Sequence, residues 1–128
     1  MREIVLVFFG AGFGGVSRFV LGSLVYSYTG RNFPWGTLAI NLTGSFIMGF
    51  LFVIFAQKFT NLAPYLIALV LVGVLGGYTT FSSFSIETLR LFQDGKIMYA
   101  IMNVLVSTIG GILLAWLGYA LATKLVAA

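Results

Sequence analysis

Long apolar segments take up most of this chain, and few polar positions separate them. Arg18 is the one charged residue that falls within the segments. The four segments are Ile4–Tyr28, Phe33–Ala56, Phe59–Ile86 and Ile97–Thr123. Each exceeds the roughly 20 residues that a helix needs to cross the hydrocarbon core of a bilayer. We therefore predict an all-α, multi-pass integral membrane protein, with residues 1–128 forming a single transmembrane domain. The predicted helices are approximately 4–28, 34–56, 62–92 and 96–123.

The third predicted helix, 62–92, is interrupted near its middle by the polar run from Gly76 to Ser85. Two adjacent glycines open the run, and six hydroxyl residues then fall within eight positions. Non-helical backbone at membrane depth persists only where protein or a water-lined cavity satisfies its polar groups. The run predicts a break near residues 76–81, in preference to a continuous helix whose hydroxyls bond to its own carbonyls. A break exposes carbonyls that suit a cation and N–H groups that suit an anion, so the pattern leaves the sign of the ion open.

The composition supports a membrane protein and argues against an enzyme. Hydrophobic residues make up 60% of the chain and charged residues 8%, whereas soluble domains carry about 25% charged residues. Cysteine and histidine are both absent, which excludes disulfides, thiolate metal sites and the most frequent general base. The cations that give the net charge of +4 are scattered, so we predict contact with a lipid bilayer and no nucleic-acid partner.

The cations are balanced between the two sides of the predicted membrane domain. An even number of crossings puts Arg2, Lys58 and Lys124 on one side and Arg31, Arg90 and Lys96 on the other. The positive-inside rule then prefers neither orientation. Two interpretations stay open at this point: the tally is too small to orient the chain, or the chain inserts both ways up. The second would permit an antiparallel homodimer with its two-fold axis in the membrane plane.

Small and polar residues recur at helical spacing within the segments. The pair Gly10 and Gly14 supplies a close-packing surface, for which packing within the subunit is favoured. Asn41 shares a helix face with Thr37 and Ser45, and Asn103 precedes Ser107 by one turn. These amides and hydroxyls either hold helices together or line an ion path without adding a fixed charge.

The aromatic and charged candidates also allow two interpretations each. Phe81 and Phe84 share a helix face, where ordinary packing is favoured and contact of the positive ring edges with an anion is the alternative. Arg18 lies roughly 21 Å along its helix from Ile4. It either reaches the far interface or attracts anions in a vestibule. Glu87 is expected to pair with Arg18 or Arg90, or to lie in an aqueous mouth.

The stretch from Gly76 to Glu87, GGYTTFSSFSIE, closely resembles the third-helix signature of the bacterial fluoride channels, the Fluc or CrcB family. The segments Gly14–Arg18 and Trp35–Leu42 support the resemblance, which extends over the whole chain and its four-helix order. It implies a dual-topology antiparallel homodimer with two fluoride pores in a bacterial plasma (inner) membrane. The implied function is a fluoride-selective channel that passively exports cytoplasmic fluoride.

The resemblance also implies roles for individual residues. Phe81 and Phe84 would line the pore with Asn41, and Arg18 would lie in the vestibule. The polar part of the path would include Thr80 and Ser83. Asn103 and Ser107 would form a polar track on the fourth helix, where Gly111 and Ala115 replace hydroxyls that are common in the family. Glu87 matches a family position at the end of the signature and is included in the path. The carbonyls of Gly76 and Thr79, from both subunits, would hold a structural sodium ion at the dimer centre.

Two other functions compete with a fluoride channel. Small multidrug-resistance-type transporters are also short, four-helix and dual-topology, but they couple to protons through a carboxylate in the first helix. The first segment here has no acid after Glu3. A subunit without transport activity would account for the small-residue faces and would leave the polar interruption unexplained.

Overall fold

The computed structural model covers Met1–Ala128, and all of its regular elements are helices. Three of its helices are long and continuous: α1 (Arg2–Thr29), α2 (Trp35–Lys58) and α6 (Ile97–Ala127). The third span, Ala63–Gln93, is assembled from shorter pieces. All four spans are long and apolar enough to cross a membrane, which confirms the predicted multi-pass, all-α architecture.

The third span is broken in its middle, as the polar run predicted. It starts with α3 (Ala63–Leu66), a π-helical stretch (Ile67–Leu75) and the short α4 (Gly76–Tyr78). The backbone is then extended at Thr79, whose ψ is 157°, and at Thr80, whose φ is −150°. The helix α5 (Phe81–Gln93) follows. The non-helical part is therefore confined to two residues. The nine-residue π-helical stretch was not predicted, and π-helices of this length are rare.

Glycines in the left-handed region turn the chain at two helix ends. Gly30, with φ of 74°, follows α1, and Gly95, with φ of 73°, lies between α5 and α6. A residue with a side chain would be strained at either position. These turns keep the connectors short, so that successive spans are antiparallel neighbours.

The spans pack in two close pairs, α1 along the third span and α2 along α6. Gly14 lies directly on the backbone of the third span, where an added Cβ would meet the Val74 carbonyl and lie 2.9 Å from the Tyr78 nitrogen. Gly49 lies in the same way on the backbone of Ala115. The small residues thus serve packing within the subunit, which is the role that their spacing favoured.

Few side chains are shielded by the fold itself. Only 23 of the 128 residues are buried, and large apolar side chains such as Phe8, Phe13 and Trp116 are at least 65% exposed. A soluble protein of this size would bury far more of its apolar surface. Lipid is therefore the solvent of the outer surface.

Candidate ion path at the helix break

The extended backbone at Thr80 is held by the side chain of Asn41 from α2. The Thr80 N–H donates to Asn41 Oδ1 at 2.8 Å, and Asn41 Nδ2 donates to the Thr80 carbonyl at 3.0 Å. Both polar backbone groups of this buried residue are thereby satisfied. Asn41 replaces, from a neighbouring helix, bonds that Thr80 would make in a continuous helix.

The break removes the usual helical donors from the carbonyls that precede it, those of Gly76 and Thr79 among them. In a continuous helix the N–H of Thr80 would bond to Gly76, and the N–H of Ser83 would bond to Thr79. Here the Ser83 N–H instead donates to Thr80 Oγ1 at 3.1 Å, which caps the start of α5. The carbonyls of Gly76 and Thr79 are therefore available to other partners.

Arg18 lies at this break and lines a cavity beside it. Its guanidinium donates to the Thr79 carbonyl at 3.3 Å. We call the adjacent space of about 320 Å³ the arginine cavity; it is also lined by Thr80 and Ser83. The side chain is directed towards the break and not towards the far interface, and the cavity wall carries its positive charge.

A second cavity brings together predicted path residues from three helices. This phenylalanine cavity, of about 300 Å³, is lined by Asn41, Ser45, Phe81, Phe84, Ser107, Thr108, Gly111 and Ile112. The rings of Phe81 and Phe84 are 5.6 Å apart between centroids and tilted by 42°. Phe81 is 79% exposed, so it is not a packed core residue within one subunit. The cavity contains amide, hydroxyl and aromatic groups and no charged side chain.

Glu87 is bound by hydroxyl groups and not by a cation. Its Oε1 accepts hydrogen bonds from the Tyr26 hydroxyl at 3.1 Å and from Thr37 Oγ1 at 2.9 Å. Its Oε2 is buried without a hydrogen-bond partner. The residue also lines a third space of about 240 Å³, the mouth cavity, together with Arg31, Arg90, Asp94 and Lys96. Of the surroundings that the sequence left open, Glu87 pairs with neither Arg18 nor Arg90 and instead lines a cavity together with charged side chains of the helix ends.

Asn103 is separated from all three cavities. It is 1% exposed and donates to Thr88 Oγ1 at 2.8 Å, while the Thr88 hydroxyl donates to the Phe84 carbonyl at 2.7 Å. Ser107, one turn later, donates weakly to Asn103 Oδ1 at 3.4 Å and lines the phenylalanine cavity. Within the predicted polar track, Ser107 reaches the cavity and Asn103 instead connects α6 to α5.

Two residues of these sites had no assigned role in the sequence. Tyr26 lies near the end of its segment, and its bond to Glu87 spans 61 positions, so no local signal connects the two residues. Thr108 is adjacent to Ser107 and would have been found by following the hydroxyl residues of the fourth segment. Thr37, which the sequence placed on one helix face with Asn41, donates its hydroxyl to Glu87.

The family described as CrcB-like protein, Camphor Resistance (CrcB), matches residues 5–119 of the chain. The chain belongs to the CrcB family. The resemblance carried by the third-segment signature is thereby confirmed.

Several curated members of the CrcB family are similar over most of the chain. A Magnetococcus marinus protein named fluoride-specific ion channel FluC is 50% identical over 91% of this chain and 94% of its own length. A Coxiella burnetii protein of the same name is 44% identical over 96% and 99% of the two chains. A Methylococcus capsulatus protein, also so named, is 48% identical over 91% of this chain and 50% of its own length. These relatives are named as ion channels and not as enzymes.

Replacing Asn41 with alanine should destabilise the protein by about 1–3 kcal/mol, because the buried N–H and carbonyl of Thr80 would lose their partner. Thermal or denaturant unfolding in detergent would measure the change. Asn61→Ala, in the exposed connector after α2, is the matched control and should leave stability unchanged. Equal stability of the two variants would contradict a stabilising contact between the Asn41 amide and the Thr80 backbone.

Proposed function

We propose that this protein is a fluoride-selective channel that lets cytoplasmic fluoride leave a bacterial cell passively across the inner membrane. The names of the relatives support this function. The observation that carries it is the phenylalanine cavity, which gathers Asn41, Phe81, Phe84 and Ser107 beside the broken helix.

The chemistry of this cavity suits a small, strongly hydrated anion. A pore for such an ion must replace water with several donors of moderate strength, since a fixed cation in the path would bind too tightly for release. Asn41 uses one N–H of its amide on Thr80 and retains a second. The Ser107 hydroxyl and the positive ring edges of the two phenylalanines add further neutral contacts.

Liposomes containing the purified protein should release fluoride much faster than chloride. We expect a ratio of roughly a hundredfold or more, which corresponds to about 2.8 kcal/mol of discrimination. Ion-selective electrodes can record both effluxes after the membrane potential is collapsed with an ionophore. Equal, slow leakage of the two ions would contradict the channel, and efflux that depends on a proton gradient would favour a proton-coupled transporter.

Two phenylalanines of similar exposure provide a matched control for this assay. Phe81 is 79% exposed and lines the phenylalanine cavity, whereas Phe8 is 74% exposed and lies on the outer face of α1. Phe81→Ala should slow fluoride efflux, and Phe8→Ala should leave it unchanged.

We propose further that two copies form an antiparallel homodimer around the break. Thr43 and Tyr78 form a hydroxyl–hydroxyl hydrogen bond of 2.9 Å on an exposed surface, close to the extended residues. Polar groups facing lipid are costly, so a second copy that covers them and Phe81 would stabilise the assembly. The balanced cations allow the inverted insertion that such a dimer requires.

A tag on the C-terminus should be found on both sides of the membrane, in about equal amounts because the positive-inside rule gives no preference. Protease or biotinylation accessibility in intact cells and in lysed cells would measure the two populations. A single orientation would contradict the antiparallel dimer and would leave the efflux prediction standing.

We also propose that the dimer centre holds a structural sodium ion through the Gly76 and Thr79 carbonyls of both subunits. The donor set fits, because the break removes the usual helical donors from these carbonyls. No cluster of three or more acidic, histidine or cysteine side chains exists to favour a different metal. The Thr79 carbonyl also accepts a hydrogen bond from Arg18 at 3.3 Å, and a carbonyl oxygen has two lone pairs.

Replacing sodium by N-methylglucamine during purification and reconstitution should lower both thermal stability and fluoride efflux, and adding sodium back should restore them. At a sodium concentration a hundred times the dissociation constant, stabilisation of about 2.7 kcal/mol is expected. Potassium at the same concentration is the control for ionic strength. Identical stability and efflux in the two media would contradict the sodium site.

A further inference from the structure

Tyr26 lies in the wall between the mouth cavity and the arginine cavity. Only Tyr26 and Arg31 line both spaces. The mouth cavity contains the charged residues of the helix ends, and the arginine cavity leads to Thr80 and Ser83 at the break. An ion that crosses their shared wall therefore meets Tyr26 and Arg31.

Three contacts hold the Tyr26 ring in this wall. Gly36 lies against one side of it, so closely that an added Cβ would come within 2.5–2.8 Å of the ring carbons. The Arg31 guanidinium carbon lies 5.1 Å from the ring centroid, in a cation–π contact. The hydroxyl is fixed by its hydrogen bond to Glu87 Oε1.

The hydroxyl of Tyr26 can be released from Glu87 without leaving that carboxylate oxygen unpaired. Thr37 Oγ1 donates to the same oxygen at 2.9 Å and would remain in place. The phenol could then donate its hydrogen bond to an anion at the wall that the two cavities share. Arg31 would keep a positive charge in this wall while the anion passes Glu87.

We propose that Tyr26 is a specificity-determining residue at this shared wall, where its hydroxyl moves from Glu87 Oε1 to the fluoride ion and back. This inference rests on the proposed function of the protein as a fluoride channel. Fluoride is a strong hydrogen-bond acceptor and competes with a carboxylate for the phenol. Chloride is a weaker acceptor, so the Tyr26–Glu87 bond persists against it and the phenol gives chloride no hydrogen bond.

Tyr26→Phe retains the ring and removes only the donor. In vesicles that contain about one channel each, fluoride release gives two independent values: the rate constant of efflux and the fraction of vesicles that empty. We expect the rate constant to fall by about tenfold, as for the loss of one hydrogen bond to a charged group. The fraction of emptied vesicles should not change, because the variant folds and inserts. Tyr28→Phe, whose side chain is 84% exposed at the same end of α1, should match the unmodified protein in both values.

The remaining outcomes separate this proposal from the proposed function. If the unmodified protein releases no fluoride, the channel function itself fails. If it releases fluoride and Tyr26→Phe does so at the same rate, the role of Tyr26 is overturned while the channel function stands. A decrease confined to the fraction of emptied vesicles would show that the hydroxyl serves folding, and it would overturn the role of Tyr26 as well.

Discussion

The bidentate contact between the Asn41 amide and the backbone of Thr80 is the interaction on which the centre of this protein depends. An extended pair of residues within an apolar span leaves polar backbone groups without helical partners, and lipid cannot supply substitutes. Asn41 provides a donor and an acceptor at 3.0 and 2.8 Å, in the manner of one rung of a β-ladder. An asparagine is well suited to this position, because aspartate lacks the donor and a hydroxyl cannot place both groups side by side.

The geometry around the break follows from that contact. Because the Thr80 N–H turns to Asn41, the Gly76 carbonyl loses its usual donor, and the Thr80 side chain is free to cap α5. The capped helix carries Phe81 and Phe84 on adjacent turns beside the same asparagine. One side chain thus determines where carbonyls are available, where α5 begins and which rings face the phenylalanine cavity.

Features that depend on local pattern could be predicted from the sequence, and features that depend on distant pairing could not. Segment length and hydropathy predict the four spans, and the glycine pair with its hydroxyl residues predicts the break. The π-helical stretch over Ile67–Leu75 has no such signal, since its sequence is as apolar as an α-helical span.

The role of Asn103 could not be predicted for a different reason. An amide on a helix face suits both a path and an interhelical bond, and only the position of Thr88 on α5 distinguishes them. The bond between Tyr26 and Glu87 likewise joins residues that nothing local connects.

The distribution of charge gives the proposed path its physical logic. The mouth cavity holds cations and carboxylates together, the arginine cavity holds the guanidinium groups of Arg18 and Arg31 in its wall, and the phenylalanine cavity holds no charged side chain. A positive charge attracts an anion over a distance. The free energy that the anion needs to leave the charged site rises with the strength of that attraction. An anion that enters through these spaces in this order meets full charges while it is still hydrated. It meets neutral donors after it has lost its water. Hydroxyl groups hold Glu87, so its negative charge is partly compensated within the mouth cavity. A path of this kind favours an ion small enough to gain strong hydrogen bonds from neutral groups, which is the property that separates fluoride from larger halides.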